Sequence, residues 1–172
     1  MNNSKGAARQ IVTAALIAAA YVALTYISSA LGIAYGSVQF RLSEALMVLP
    51  LFTPAAVSGL TIGCLIGNLG SPFGMLDIIL GTLATFLASI LVRFLGKAFG
   101  KSAPFISILP PVIFNALIVG LELAVFSPEG SYMAVFLLSA AQIALGEAVV
   151  YIVLGIPICF VIKRYKKFLF NE

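Results

Sequence analysis

Residues 45–76 read ALMVLPLFTPAAVSGLTIGCLIGNLGSPFGML, a run without one charged side chain. A helix needs about 20 apolar residues to cross the hydrocarbon core of a bilayer. This run is longer than that, but Pro50, Thr53-Pro54 and Gly59 interrupt it. Proline has no backbone N–H and clashes with the turn before it. The run is therefore either two short spans, near 43–53 and 55–69, or a single kinked one. That choice sets the chain at six spans or five.

The flanking sequence decides it. Residues 10–40 carry no charge, and 11–31 suffice for span 1. Span 4 runs from about 77 to 96, span 5 from about 104 to 126 with Pro110 and Pro111 near its start, and span 6 from about 132 to 163. The basic residues other than Arg41 form three clusters: Lys5 and Arg9; Arg93, Lys97 and Lys101; Lys163, Arg164, Lys166 and Lys167. Lys and Arg accumulate in cytoplasmic loops. Six spans put all three clusters on the cytoplasmic side with both termini, whereas five put the second and third outside. The chain is thus expected to be an all-α integral membrane protein, one six-helix domain over 1–172 with short cytoplasmic tails at 1–9 and 164–172. Span 1 is too long for a typical cleaved signal peptide and lacks an A-x-A-like site at its end, so it is expected to be retained. Ser127-Pro128-Glu129-Gly130 has the composition of a turn. No internal repeat marks an inverted-repeat carrier.

Composition agrees. Of 172 residues, 62% are apolar and 9% charged, and mean hydropathy is +1.14. Soluble domains are about 45–50% apolar and about 25% charged. A soluble enzyme, a nucleic-acid-binding module and a disordered tail are excluded. The net charge of +4 is a topology signal and does not point to nucleic acid. Without histidine, the chain has no imidazole for zinc, haem or a Ser-His pair. Cys64 and Cys159 sit in apolar runs and read as small buried residues.

Of six acidic residues, Glu129 and Glu172 fall in a loop and at the terminus. The other four, Glu44, Asp77, Glu122 and Glu147, are flanked by apolar sequence, as is Arg41. A charge at the membrane centre costs at least about 2.5–3.5 kcal/mol, so each is a candidate functional residue. The topology puts Arg41 and Glu44 at the outer start of span 2, Asp77 at the outer start of span 4, and Glu122 about one turn from the outer end of span 5. Glu147 falls about four turns below Tyr132, with Gln142 above it. Asn68 and Gly70 end span 3 on the outer side. This polar half describes a pocket open to the outside rather than a pore. Each residue has a structural alternative: Arg41 pairing with Glu44 three residues on, Asp77 as a helix N-cap, Glu122 reaching the headgroups, Glu147 as a neutral acid bonded to a neighbouring helix.

Four acids against one arginine leave a deficit of positive charge. No D-x-D spacing suggests a metal cage, and no cofactor is expected. A ligand with an amine or a paired N–H edge fits, because a carboxylate accepts two parallel N–H donors. Tyr35, Phe40 and Phe73, in the outer loops, are either stacking surfaces for a flat ring or interfacial anchors.

Small residues mark the helix contacts. Gly59, Gly63 and Gly67 form a G-x-x-x-G-x-x-x-G ladder that suits close packing within the chain. Ala14/Ala18, Ala15/Ala19 and Ala19/Ala23 give an alanine face on span 1, either an internal contact or a docking surface. No Walker A sequence is present, so ATP-driven uptake needs a motor on another chain.

With these features in place, the chain resembles the substrate-binding S-component of energy-coupling factor (ECF) transporters. Val38-Gln39-Phe40-Arg41-Leu42-Ser43-Glu44-Ala45-Leu46, Gly63-Cys64-Leu65-Ile66-Gly67-Asn68-Leu69, and Asp77 after Gly74 are similar to the QueT group. The resemblance implies uptake of a queuosine precursor, a 7-deazaguanine base such as 7-aminomethyl-7-deazaguanine or queuine. It also implies docking on a transmembrane coupling subunit driven by two ATPase subunits, with the S-component toppling in a prokaryotic plasma membrane. Such a ligand offers an N–H face for Glu147 or Glu122, a carbonyl for Arg41 or Asn68, and an ammonium for Asp77 or Glu44. Rival readings are an S-component for another flat vitamin, a thiamine-like cation above all, and a stand-alone proton-coupled carrier using Glu147. An intramembrane enzyme is disfavoured because no nucleophile stands beside a base.

Overall fold

The computed structural model describes residues 2–35, 38–127 and 131–170. The expected turn at 128–130, with Glu129, and the terminal Asn171 and Glu172 lie outside the described residues, as do the side chains of Lys5, Lys101, Lys166 and Lys167.

Helix α1 spans Asn2–Ala30. It ends where Gly32 takes φ 73°: the amides of Gly32 and Ile33 turn back onto the carbonyls of Ser29 and Ser28. That 5→2 and 6→1 pairing closes a helix with glycine in the left-handed conformation. A 3-10 helix follows at Leu42–Leu51, then α2 at Ala55–Gly67 with a 3-10 turn at Asn68–Gly70. Helix α3 covers Met75–Phe99, α4 Ala103–Ile106, α5 Leu109–Phe126 and α6 Tyr132–Val150. A π turn at Tyr151–Gly155 joins α6 to α7, Ile156–Phe170. Four helical stretches are long and apolar enough to cross a membrane: Gly6–Ala30, Met75–Phe99, Ala103–Phe126 and Tyr132–Tyr165. With the shorter Leu42–Leu51 and Ala55–Gly70, these make six apolar helical segments, the expected number.

Three details depart from the sequence expectation. Span 2 is a 3-10 helix throughout. At about 2.0 Å per residue its ten residues reach about 20 Å, where an α-helix would reach about 15 Å. It is the central rod, packed against α1, α2, α3, α6, the π turn and α7. Span 5 is broken at residues 107–108, and Pro110 and Pro111 lie in the opening turn of α5, where a missing N–H costs little. Span 6 widens into the π turn just before Pro157, which cannot donate to the carbonyl four residues earlier.

The exterior is apolar, and the interior mixes an apolar core with polar side chains. Ile79, Phe86, Leu117, Leu138, Leu145 and Ile152 face outward, while Thr25, Ser28, Ser43, Thr85, Ser89 and Asn115 are buried. The glycine ladder packs within the chain, as expected. A Cβ on Gly59 would lie 2.7 Å from the Ala14 carbonyl, one on Gly63 2.8 Å from Tyr21 Cβ, and one on Gly67 3.2 Å from Thr25 Cγ2. Only glycine lets α1 and α2 approach so closely. The alanine face divides: Ala18 is buried toward α2 and Ala14 is half-buried, whereas Ala15, Ala19 and Ala23 are exposed. The exposed stripe borders a shallow apolar groove with Val22, Ile62 and Ile66.

Each basic segment meets the turn around residues 50–55. Ala7 and Gln10 share a groove with Pro54 and Ala55. Arg93 Nη1 donates to the Pro50 carbonyl at 3.2 Å, and Lys163 borders the same hollow as Leu51 and Phe52. The guanidinium thus serves carbonyls that the end of a helix leaves unpaired.

Candidate functional site

The site lies at the other end of the central rod. Three residues on one face of α1 hold its start. The Tyr21 hydroxyl donates to Glu44 Oε1, Thr25 Oγ1 donates to Ser43 Oγ at 2.8 Å, and Ser28 Oγ accepts the Leu42 amide at 2.9 Å. Positions 21, 25 and 28 recur at helical spacing and so form one stripe. This fixes Glu44 in the interior.

Arg41 is buried just before the rod. Its Nη2 lies 3.4 Å from Asp77 Oδ2, and its Cζ sits 5.0 Å from the centre of the Tyr35 ring, a cation–π contact. Arg41 therefore pairs with Asp77 across the bundle, and not with Glu44 three residues on. Asp77 is in the first turn of α3, where the helix dipole favours an anion, but it makes no capping bond. Asn68 Nδ2 donates to the Asp77 carbonyl at 3.0 Å. Gly81 makes the room: a Cβ there would stand 2.6 Å from Asn68 Nδ2 and 3.0 Å from Asp77 Oδ1.

Helices α5 and α6 supply the remaining acids. Asn115 Nδ2 donates to Glu147 Oε1 at 2.7 Å. Glu122, two turns along α5, is 2% exposed, so it does not reach toward the headgroups. The backbone before Arg41 presses on α6: a Cβ on Gly146 would collide with the Gln39 carbonyl oxygen. Glu44, Asp77, Glu122 and Glu147 all lie within electrostatic reach of the Arg41 guanidinium.

The unpaired atoms belong to the same residues. Among the described residues, eight buried side-chain N or O atoms have no hydrogen-bond partner. Seven are Arg41 Nε, Glu44 Oε2, Asn68 Oδ1, Asp77 Oδ1, both oxygens of Glu122, and Glu147 Oε2. A buried polar atom left unpaired costs about 1–3 kcal/mol, more for a charged group, which sets these residues apart from the rest of the interior. Asn68 spends its NH2 inside the chain, so its carbonyl is the unpaired half, and Arg41 Nε is the one unpaired nitrogen of the seven. No group of three metal-ligating side chains converges among the described residues.

The other candidates are less committed. The Tyr35 hydroxyl donates to the Gly67 carbonyl at 3.3 Å. Phe73 packs on Phe126, ring centres 6.5 Å apart, and Phe126 lies one turn beyond Glu122. Phe40 and Gln142 are half-buried. Sequence reasoning missed Tyr21, Gly81, Asn115 and Gly146. Their signals were one of the two tyrosines of span 1, a lone asparagine in span 5 and two glycines within a turn of a buried acid.

An apolar exterior on helices long enough to cross a bilayer is the build of a multi-pass membrane protein. Comparison with known proteins gives the family: residues 11–164 match the QueT transporter family, and the chain belongs to it. It is 37% identical over 151 residues to a protein of Lactococcus lactis subsp. cremoris (strain MG1363) named queuosine precursor transporter QueT, a match covering 80% of this chain and 82% of that relative. No solved structure matches the chain.

Proposed function

We propose that this protein is the membrane-embedded, substrate-binding subunit of an energy-coupling factor transporter in a prokaryotic plasma membrane. It takes a queuosine precursor, a 7-deazaguanine base such as the aminomethyl form or queuine, from the outer side. Family membership and the name of the Lactococcus relative support the substrate class. The observation that carries the reading is that seven of the eight unpartnered buried polar atoms among the described residues belong to Arg41, Asn68 and the four buried acids. Five are carboxylate oxygens, which suit a ligand that donates more hydrogen bonds than it accepts. The exposed Ala15, Ala19 and Ala23 stripe supports docking on a transmembrane coupling subunit that carries two ATPase subunits.

The test is an inventory, by mass spectrometry, of small molecules that copurify with the protein, followed by calorimetric titration. A 7-deazaguanine base binding at one site per chain is the expected result. A thiamine-like cation as the sole copurifying ligand would contradict the substrate. Uptake into liposomes driven by a pH gradient, without any ATPase, would contradict the energy-coupling role.

A further inference from the structure

We infer that the acids divide the ligand between them: Glu122 accepts a paired N–H edge with both oxygens, while Glu44 and Glu147 close together on an ammonium group. This rests on the proposed 7-deazaguanine site. The argument is which oxygens the protein has already used. Glu44 spends Oε1 on Tyr21 and Glu147 spends Oε1 on Asn115, so each offers one open oxygen. Asp77 spends Oδ2 on Arg41. Glu122 alone among these acids spends neither oxygen, though it is as buried as Glu44. Two parallel acceptors on one carboxylate match two parallel N–H donors on a planar edge.

Position supports the division. Asn115 marks the level of Glu147, and Glu122 lies seven residues further along the same face of α5. That separates the two levels by about 10 Å along the helix axis, the reach of a bicyclic base with a short substituent. Glu44 and Glu147 stand on elements in contact: the rod packs on α6, and the Gln39 backbone lies against Gly146, the neighbour of Glu147. Two buried carboxylates on packed elements repel, and a cation between them relieves the repulsion. Glu122 stands on α5, which packs on α3 with its Asp77, and the charge of Asp77 is already offset by Arg41. Tyr21 and Asn115 are positioning residues: each holds one carboxylate oxygen and so aims the other.

The experiment titrates three ligands into the purified full-length protein and its Glu122→Gln and Glu147→Gln variants. The ligands are 7-aminomethyl-7-deazaguanine, its neutral 7-cyano analogue, and an aminomethyl analogue without the 2-amino group. Comparing ligands within one variant cancels any loss of folded protein. Glu147→Gln is expected to weaken the aminomethyl ligand about 10-fold or more and to leave the cyano analogue within about 2-fold. Glu122→Gln should weaken both guanine-type ligands about 10-fold or more and barely change the analogue that lacks one edge donor. Asn115→Ala should shift the aminomethyl-to-cyano ratio in the direction of Glu147→Gln, which a purely structural role would not do. Equal losses for all ligands in both glutamate variants, or the reverse pattern, would overturn the division while leaving the substrate class standing. Wild-type protein that binds none of the three would overturn the substrate reading and the division with it.

Discussion

Gly81 shows how a single hydrogen atom in place of a side chain shapes the site. Its missing Cβ leaves room for the Asn68 amide beside the Asp77 carboxylate. Gly81→Ala should therefore weaken ligand binding by about 10-fold or more while the protein still folds, as read by calorimetry beside a melting curve. Tyr21→Phe removes the donor to Glu44 and leaves both oxygens of a buried acid unpaired. It should lower stability by about 1–3 kcal/mol, seen as an earlier melt in detergent; an unchanged melting point would mean that the hydroxyl is dispensable. The acids and Arg41 were legible because a charge inside an apolar run is conspicuous. Their partners were not. Tyrosine, asparagine and glycine are ordinary in a membrane helix, and only the fold shows which of them meets a carboxylate. The same limit applies to pairing: Arg41 and Glu44 are close in sequence, yet Asp77, across the bundle, is the one that meets the guanidinium.

At the scale of elements, helix α1 does two things. One face, Tyr21, Thr25 and Ser28, fastens the central rod, and another packs on the glycine ladder of α2. Gly63→Leu would drive a branched side chain into Tyr21 and the Ala18 carbonyl. Overpacking of this kind costs about 1–3 kcal/mol or more, so the variant should melt earlier, while Ile62→Leu on the exposed side should not. Gly146→Ala would displace the Gln39 backbone and with it Arg41. It should cost ligand affinity by about 10-fold or more and leave the α5–α6 contact in place. The spans and their ends were legible from length, charge and proline. The 3-10 form of the rod was not, because Leu42–Leu51 has no pattern that separates three residues per turn from 3.6 over so short a length. The π turn had a signal in Pro157, since a proline inside a long span must release a carbonyl somewhere before it.

At the scale of the molecule, one end gathers the basic segments around the turn at residues 50–55, and the other gathers the buried acids around Arg41. Ala7 and Gln10, Arg93 and Lys163 all border that turn, the common side that six spans require. Single cysteines at Ser102 and Tyr132, in a background without Cys64 and Cys159, should be labelled by an impermeant reagent from inside and outside respectively. Ala19→Leu, on the exposed stripe, should abolish copurification of a transmembrane partner and leave ligand affinity unchanged; a complex that survives would assign docking to another face. The central claim is that the unpaired acids are completed by one donor-rich ligand. An experimental structure of the protein with 7-aminomethyl-7-deazaguanine tests it most directly. The account predicts ligand nitrogens about 3 Å from both oxygens of Glu122 and from the open oxygens of Glu44 and Glu147. A ligand bound elsewhere, with those oxygens paired to protein donors instead, would contradict it.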